Sequence, residues 1–97
     1  MTANNIEIVY LYSVMDNLAY LYLPTFESRN DRTAFRNYES SLNSKEFPQN
    51  ANEFRLFRIA EITRKDGFIS VKPYSVPFLI ADALNFVSDQ VYQEDSQ

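Results

Sequence analysis

The chain has one glycine in 97 residues, and its position constrains the fold more than any other feature. Gly67 follows Asp66 between two runs of strand-like residues. An Asp-Gly pair supplies the positive φ of a tight two-residue hairpin turn, so the flanking runs are expected to pair antiparallel. Upstream, residues 53–62 alternate. Phe54, Leu56, Ala60 and Ile62 share one face with Arg58, and Phe57 and Ile59 share the other with Arg55. Downstream, Phe68 to Lys72 reads as the return strand.

The rest of the chain can be placed around this hairpin. Residues 6–15 read as a strand, apolar enough on both faces to be central in its sheet. Asp16-Asn17 signals a turn, residues 19–23 a second strand, and Pro24 ends it by removing a ladder donor. Ser28 or Asn30 can cap a helix whose first turn carries Asp31, a carboxylate that offsets the positive end of the helix dipole. Ala34, Phe35, Tyr38 and Leu42 mark its buried stripe, with Arg32, Arg36 and Glu39 opposite. The helix should fade near Asn43, and Phe47-Pro48 belongs to a loop. Pro73, Tyr74 and Pro77 read as a connection to a second helix over 78–92, with Leu79, Ile80, Ala83, Leu84, Val87 and Val91 on one stripe. The expected architecture is α+β, in the order ββαββα: a small, antiparallel-dominated four-stranded sheet with two helices. The second and third strands are candidates for parallel neighbours, adjacent or one strand apart. Residues 1–97 form a single domain, with 1–5 and 93–97 as frayed ends.

Composition removes most catalytic chemistry. The chain has no His and no Cys, so zinc sites of the Cys/His kind, thiol nucleophiles, Ser-His-Asp triads and imidazole bases are excluded. One glycine cannot build a phosphate-cradling loop. Glu53 and Glu61 lie roughly 26 Å apart along one strand, too far to share a substrate. The expectation is a protein that is not an enzyme, without cofactor, metal or small-molecule substrate. The N-terminal residues lack the basic region of a secretory signal, and no apolar run is long enough for a membrane helix, so a cytosolic protein without membrane contact is expected.

Net charge is −4, but its distribution is uneven. All nine cations lie within residues 27–72, against seven acids there. Any footprint for an anionic partner must sit in this middle segment. Arg29, Arg32 and Arg36 follow helical spacing, and Arg64, Lys65 and Lys72 come from the hairpin. These six are the candidate phosphate contacts. Arg58, on an apolar face, either joins them or is an internal arginine paired with a carboxylate such as Glu7 or Glu39. Tyr10, Tyr12, Tyr20 and Tyr22 alternate on two strands expected to pair and would form an aromatic ladder. Tyr20 and Tyr22 are candidates for base stacking or for contact with a second copy. Apolar side chains on both sheet faces exceed what two short helices can cover, which points to a homodimer.

Taken in order, these segments resemble a known family. They are Leu11-Tyr12-Ser13-Val14-Met15-Asp16, Pro24-Thr25-Phe26, Arg29-Asn30-Asp31, Ala34-Phe35, Phe47-Pro48, residues 52–62 and the Asp66-Gly67 turn. Over roughly residues 8–70 the chain is similar to the small nonstructural protein of the gokushoviruses, single-stranded DNA bacteriophages of the Microviridae. Phe57 and Ala60 stand where that family usually has Tyr and Gly, Arg64-Lys65 makes the turn more basic, and 78–92 has no counterpart. The resemblance implies a DNA-binding accessory protein of genome replication or packaging in the bacterial host's cytoplasm, with no catalytic residue. Few cations on an acidic chain imply weak, sequence-independent binding, with single-stranded DNA the better substrate. The alternative is a protein-interaction module that binds a viral or host replication protein and never touches DNA.

Overall fold

A computed structural model describes residues 5–43 and 51–88. Strand β1 (Ile6–Asp16) is followed by two short strands, β2 (Leu21–Tyr22) and β3 (Phe26–Ser28). Helix α1 (Asp31–Leu42) comes next, then a single 3₁₀ turn (Ala51–Glu53). Strands β4 (Phe54–Lys65), β5 (Phe68–Asp82) and β6 (Asn85–Phe86) complete the order. All pairings are antiparallel. The sheet runs β2-β1-β4-β5-β6, with β3 also on β1. β1 is therefore interior, and β2 and β4 flank it, parallel to each other and one strand apart.

The expected four-stranded sheet with two helices is wrong. Among the described residues there are six strands and one α-helix. The error lies in residues 73–88, where the second helix was expected. β5 runs through Pro73 and Pro77 to Asp82, and a two-residue turn at Ala83-Leu84 leads into β6. Backbone pairing explains the outcome. β4 is 12 residues long, and a return strand ending at Lys72 would leave the backbone from Arg55 to Arg58 unpaired on that edge. Phe78 to Asp82 supply the missing partners. The prolines are tolerated because Tyr74–Pro77 bulge opposite Ile59 alone: Arg58 pairs with Phe78, and Ala60 already with Pro73. The part of the expected helix beyond Ser88 lies outside the described residues, as do Phe47-Pro48 and, Asn5 apart, the ends expected to fray.

Bulges also redistribute the faces. In β1, Leu11 pairs with Ala60 and Tyr12 with Arg58, so Ile59 is an extra residue of β4. Directly paired residues share a face, and Leu11 and Tyr12 alternate. Arg58, Leu56 and Phe54 therefore face the helix with Tyr12, whereas Ala60 and Ile62 turn to the opposite face with Leu11 and Val9. The expected single face from Phe54 to Ile62 is two half-faces. A second shift, in β5, leaves Ile80 as the extra residue between Leu79 and Ala81, and both Ile80 and Ala81 join the core under the helix.

That core consists of Tyr12, Ala34, Tyr38, Leu42, Phe54, Leu56, Ile80 and Ala81. The helical spacing of Ala34, Tyr38 and Leu42 lays one stripe of α1 on the sheet. Asn30 caps the helix, accepting from Thr33 N–H at 2.8 Å. The Tyr38 hydroxyl donates to the Ala83 carbonyl at 2.6 Å and lies 3.1 Å from that of Phe54. It ties the helix to the one end of the sheet where β4 begins and β5 turns into β6, where Ala83 N–H also donates to the Phe54 carbonyl. At the Asp66-Gly67 turn both residues have positive φ, 50° and 87°, as the sequence requires.

Candidate functional site

Two polar assemblies stand out, one buried and one open. The buried one centres on Asp31. Its Oδ1 accepts from the Tyr12 hydroxyl at 2.7 Å, Arg58 Nη1 lies 2.9 Å from both its oxygens, and Ser88 Oγ donates to Oδ2. Arg58 is 5% exposed and Asp31 8%. The Arg58 guanidinium also lies 4.6 Å from the Phe78 ring centre, 5.0 Å from that of Tyr10 and 5.6 Å from that of Tyr74. Burial is the largest influence on the Arg58 guanidinium and opposes its charge, but Asp31, Tyr74 and Tyr12 together outweigh it and raise the group above its ordinary value. Burial and the bond to Asp31 raise the Tyr12 hydroxyl as well. A charge so enclosed is neutralised by its neighbours and presents nothing to a ligand. Arg58 is thus the internal arginine considered from sequence, but Asp31 is its partner in place of Glu7 or Glu39. Asp31 is a buried anion as well as a first-turn helix residue. Sequence reading missed this, together with Tyr12 and Ser88. The available signal was Arg58 itself, a cation on an apolar strand face that needs a buried carboxylate.

The open assembly is at the far end of the sheet, beyond the helix. A concavity of about 680 Å³ is lined by Arg29, Arg64, Lys65, Glu7, Asp66, Phe68 and neighbouring backbone and apolar residues. Glu27 sits across β1, and Arg64 Nη2 forks onto it at 2.8 and 3.0 Å. Arg64 also lies 3.6 Å from Glu7, and Arg29 lies 3.9 Å from Glu7. The hydrogen bond to Glu27 is the first cause raising the Arg64 guanidinium above its ordinary value. Ile6, Ile8, Phe68 and Ile69 are exposed around the same end.

The six expected phosphate contacts therefore divide. Arg29, Arg64 and Lys65 line one surface. Arg29 precedes the helix, so it does not continue an arginine stripe with Arg32 and Arg36. Arg32 packs over the Phe86 ring at 4.5 Å, Arg36 is exposed on the helix, and Lys72 pairs with Glu61 along β5. The tyrosine ladder does not form. Tyr22 pairs with Met15, putting it on the face opposite Tyr12, and it meets Phe57 edge-on at 6.4 Å. Tyr20 sits in the β1–β2 turn with φ 59° and is 84% exposed.

A third recess, an apolar cleft of about 420 Å³, opens between α1 and the β2–β3 edge, lined by Val14, Leu23, Pro24, Phe26, Tyr38 and Leu42 with Asn37 and Ser41. Among the described residues no group of three His, Cys, Asp or Glu is arranged to hold a metal ion. No helix among them is long and apolar enough to cross a membrane.

Among the described residues the fold is thus a six-stranded antiparallel sheet covered on one face by a single helix, with the Asp31–Arg58 ion pair buried between them. The chain belongs to the phage ORF5 protein family, whose profile matches residues 9–86. That span takes in β4, β5 and β6 and nearly all of the sheet. Nothing among curated proteins or solved structures matches the chain.

Proposed function

We propose that this phage protein is a non-enzymatic accessory factor of single-stranded DNA genome replication or packaging in a gokushovirus-type member of the Microviridae. In this reading it works in the cytoplasm of the infected bacterium and touches single-stranded DNA weakly and without sequence preference. The observation that carries the reading is the convergence of Arg29, Arg64 and Lys65 on one open concavity with Phe68 exposed to 78% beside them. Cations that track phosphates and an aromatic face for a base are the ingredients of single-strand binding. Glu7 and Glu27 compete for the same cations, so binding is weak.

Fluorescence anisotropy with labelled single- and double-stranded oligonucleotides at ~50 and ~200 mM salt tests this. Three phosphate contacts give a slope of about −2 in log K against log salt, or roughly a 15- to 20-fold loss between the two conditions. Arg29→Glu with Lys65→Glu should abolish binding. A slope near −4 would instead require all six expected cations. No binding at tens of micromolar protein in the lower salt removes DNA as a partner.

The engagement of Arg64 and Arg29 by Glu7 and Glu27 favours a second reading, a module that grips a viral or host replication protein. Recovery of a stoichiometric protein partner from infected cells after nuclease treatment would support it.

A further inference from the structure

We propose that two copies of this chain pair through the free edge of β5, antiparallel and centred on Ser70, to form one continuous sheet. From Phe68 to Leu79, β5 pairs only with β4 among the described residues, and cover on its other edge begins only at Ile80, whose carbonyl accepts from Val87 N–H. A free strand edge is a template for another strand unless charge, proline or a bulge blunts it. Here Pro73 and the bulge at Tyr74–Pro77 blunt the far part. The Asp66-Gly67 turn bounds the near part. The run left open is Phe68–Lys72, which contains no proline and no carboxylate.

A five-residue run overlaps fully with its own antiparallel copy in one register, with Ser70 opposite Ser70. Ile69 then meets Val71 of the second copy, and Phe68 meets Lys72, each pair formed twice about a two-fold axis. The two lysines are offset along the strand rather than opposed. Electrostatics single out this edge. The chain carries a net charge of −4, so copies repel, yet no acid occurs between Asp66 and Asp82. The side chains also fit a second strand. Val9 and Ile62 are 4% and 6% exposed, and they pair in one row with Val71, which is 56% exposed. The row is apolar and buried inside the sheet and ends open at the edge. Ile69 of a second copy extends it. A five-residue run is much shorter than the roughly 20–30 residues a side of a standard interface, so the dimer is weak and is sought from about ten micromolar protein upward.

Sedimentation equilibrium across that range should show the mass rising from 11.4 kDa towards twice that value. Ile69→Lys with Val71→Lys, both at exposed positions, opposes like charges and should hold the protein at the monomer mass with unchanged circular dichroism. Val76→Lys, also exposed but in the bulge, should dimerise normally. The chain has no cysteine, so Ser70→Cys reports the register directly. Opposed residues bring their Cβ atoms to ~4.5–5.5 Å, within small adjustment of a disulfide. Oxidation should crosslink Cys-substituted Ser70 at least tenfold faster than Val76→Cys. A mass fixed at 11.4 kDa, a dimer indifferent to the lysine pair, or equal crosslinking at the two positions would each overturn the proposal.

Discussion

Replacing Asp31 by Asn keeps the side chain's shape and removes its charge, and the structure sets what this should cost. Arg58 would keep its positive charge, 5% exposed, with an amide where both carboxylate oxygens now lie 2.9 Å away. Removing one partner of a buried pair typically costs 3–5 kcal/mol. Three aromatic rings around the guanidinium retain part of the stabilisation, which places Asp31→Asn near the lower end, about 3 kcal/mol. Arg58→Met fills the same aromatic box without charge and leaves Asp31 with only the Tyr12 and Ser88 hydroxyls, a loss of about 3 kcal/mol. If the two effects were independent, Asp31→Asn with Arg58→Met would cost about 6 kcal/mol, most or all of a small domain's stability. The pair is mutually dependent, so the double variant should lose only about 1–3 kcal/mol, the cost of leaving one of the Tyr12 and Ser88 hydroxyls without an acceptor. Urea denaturation followed by far-ultraviolet circular dichroism, with an unchanged m-value, measures all three. Additive losses, or single variants within about 1 kcal/mol of wild type, would mean that the ion pair is solvated and that the buried network does not hold the fold.

Alkali should unfold the protein through its buried tyrosines, Tyr12 and Tyr38 foremost, with Tyr74 raised in the same direction. Burial raises the hydroxyls of both Tyr12 and Tyr38 above their ordinary value of 10.0, so above pH 10 the unfolded chain has released protons that the folded chain retains. Stability should be level below pH 10 and then fall by about 1.4 kcal/mol per pH unit for each tyrosine. Tyr38→Phe should lower that slope by about 1.4 kcal/mol per pH unit in urea melts above pH 10; an unchanged slope would contradict the assignment. Asn30→Ala removes the acceptor of the Thr33 N–H and should cost about 1 kcal/mol, with Asn30→Asp close to wild type.

Local signals in this chain were legible and long-range ones were not. The Asp66-Gly67 turn, the Asn30 cap and the stripe of Ala34, Tyr38 and Leu42 are set by residues near one another, and each formed as its chemistry requires. The segment from Phe78 to Val87 carries apolar residues that fit both periods. What decided it was the unpaired edge of β4, a requirement set by residues twenty positions upstream. The extra residue at Ile59 has no sequence mark, yet it moves Ala60 and Ile62 to the other face from Arg58. In the open concavity, Arg64 and Lys65 were expected because they adjoin the turn. Arg29 arrives there from before the helix cap, and Glu7 and Glu27 arrive from β1 and β3, placements that only the register determines.

Asp31 gathers its partners from very different times in the life of the nascent chain. Tyr12 precedes it by 19 residues, Arg58 follows by 27 and Ser88 by 57. At about 5–20 residues per second, the carboxylate waits roughly 3–11 s after its own synthesis for its last donor. Meanwhile the β4–β5 hairpin, whose turn closes locally in microseconds, can form as soon as it emerges. The helix therefore docks late onto a sheet already under construction, and an exposed, acidic first turn is the form in which the nascent chain meets the cell.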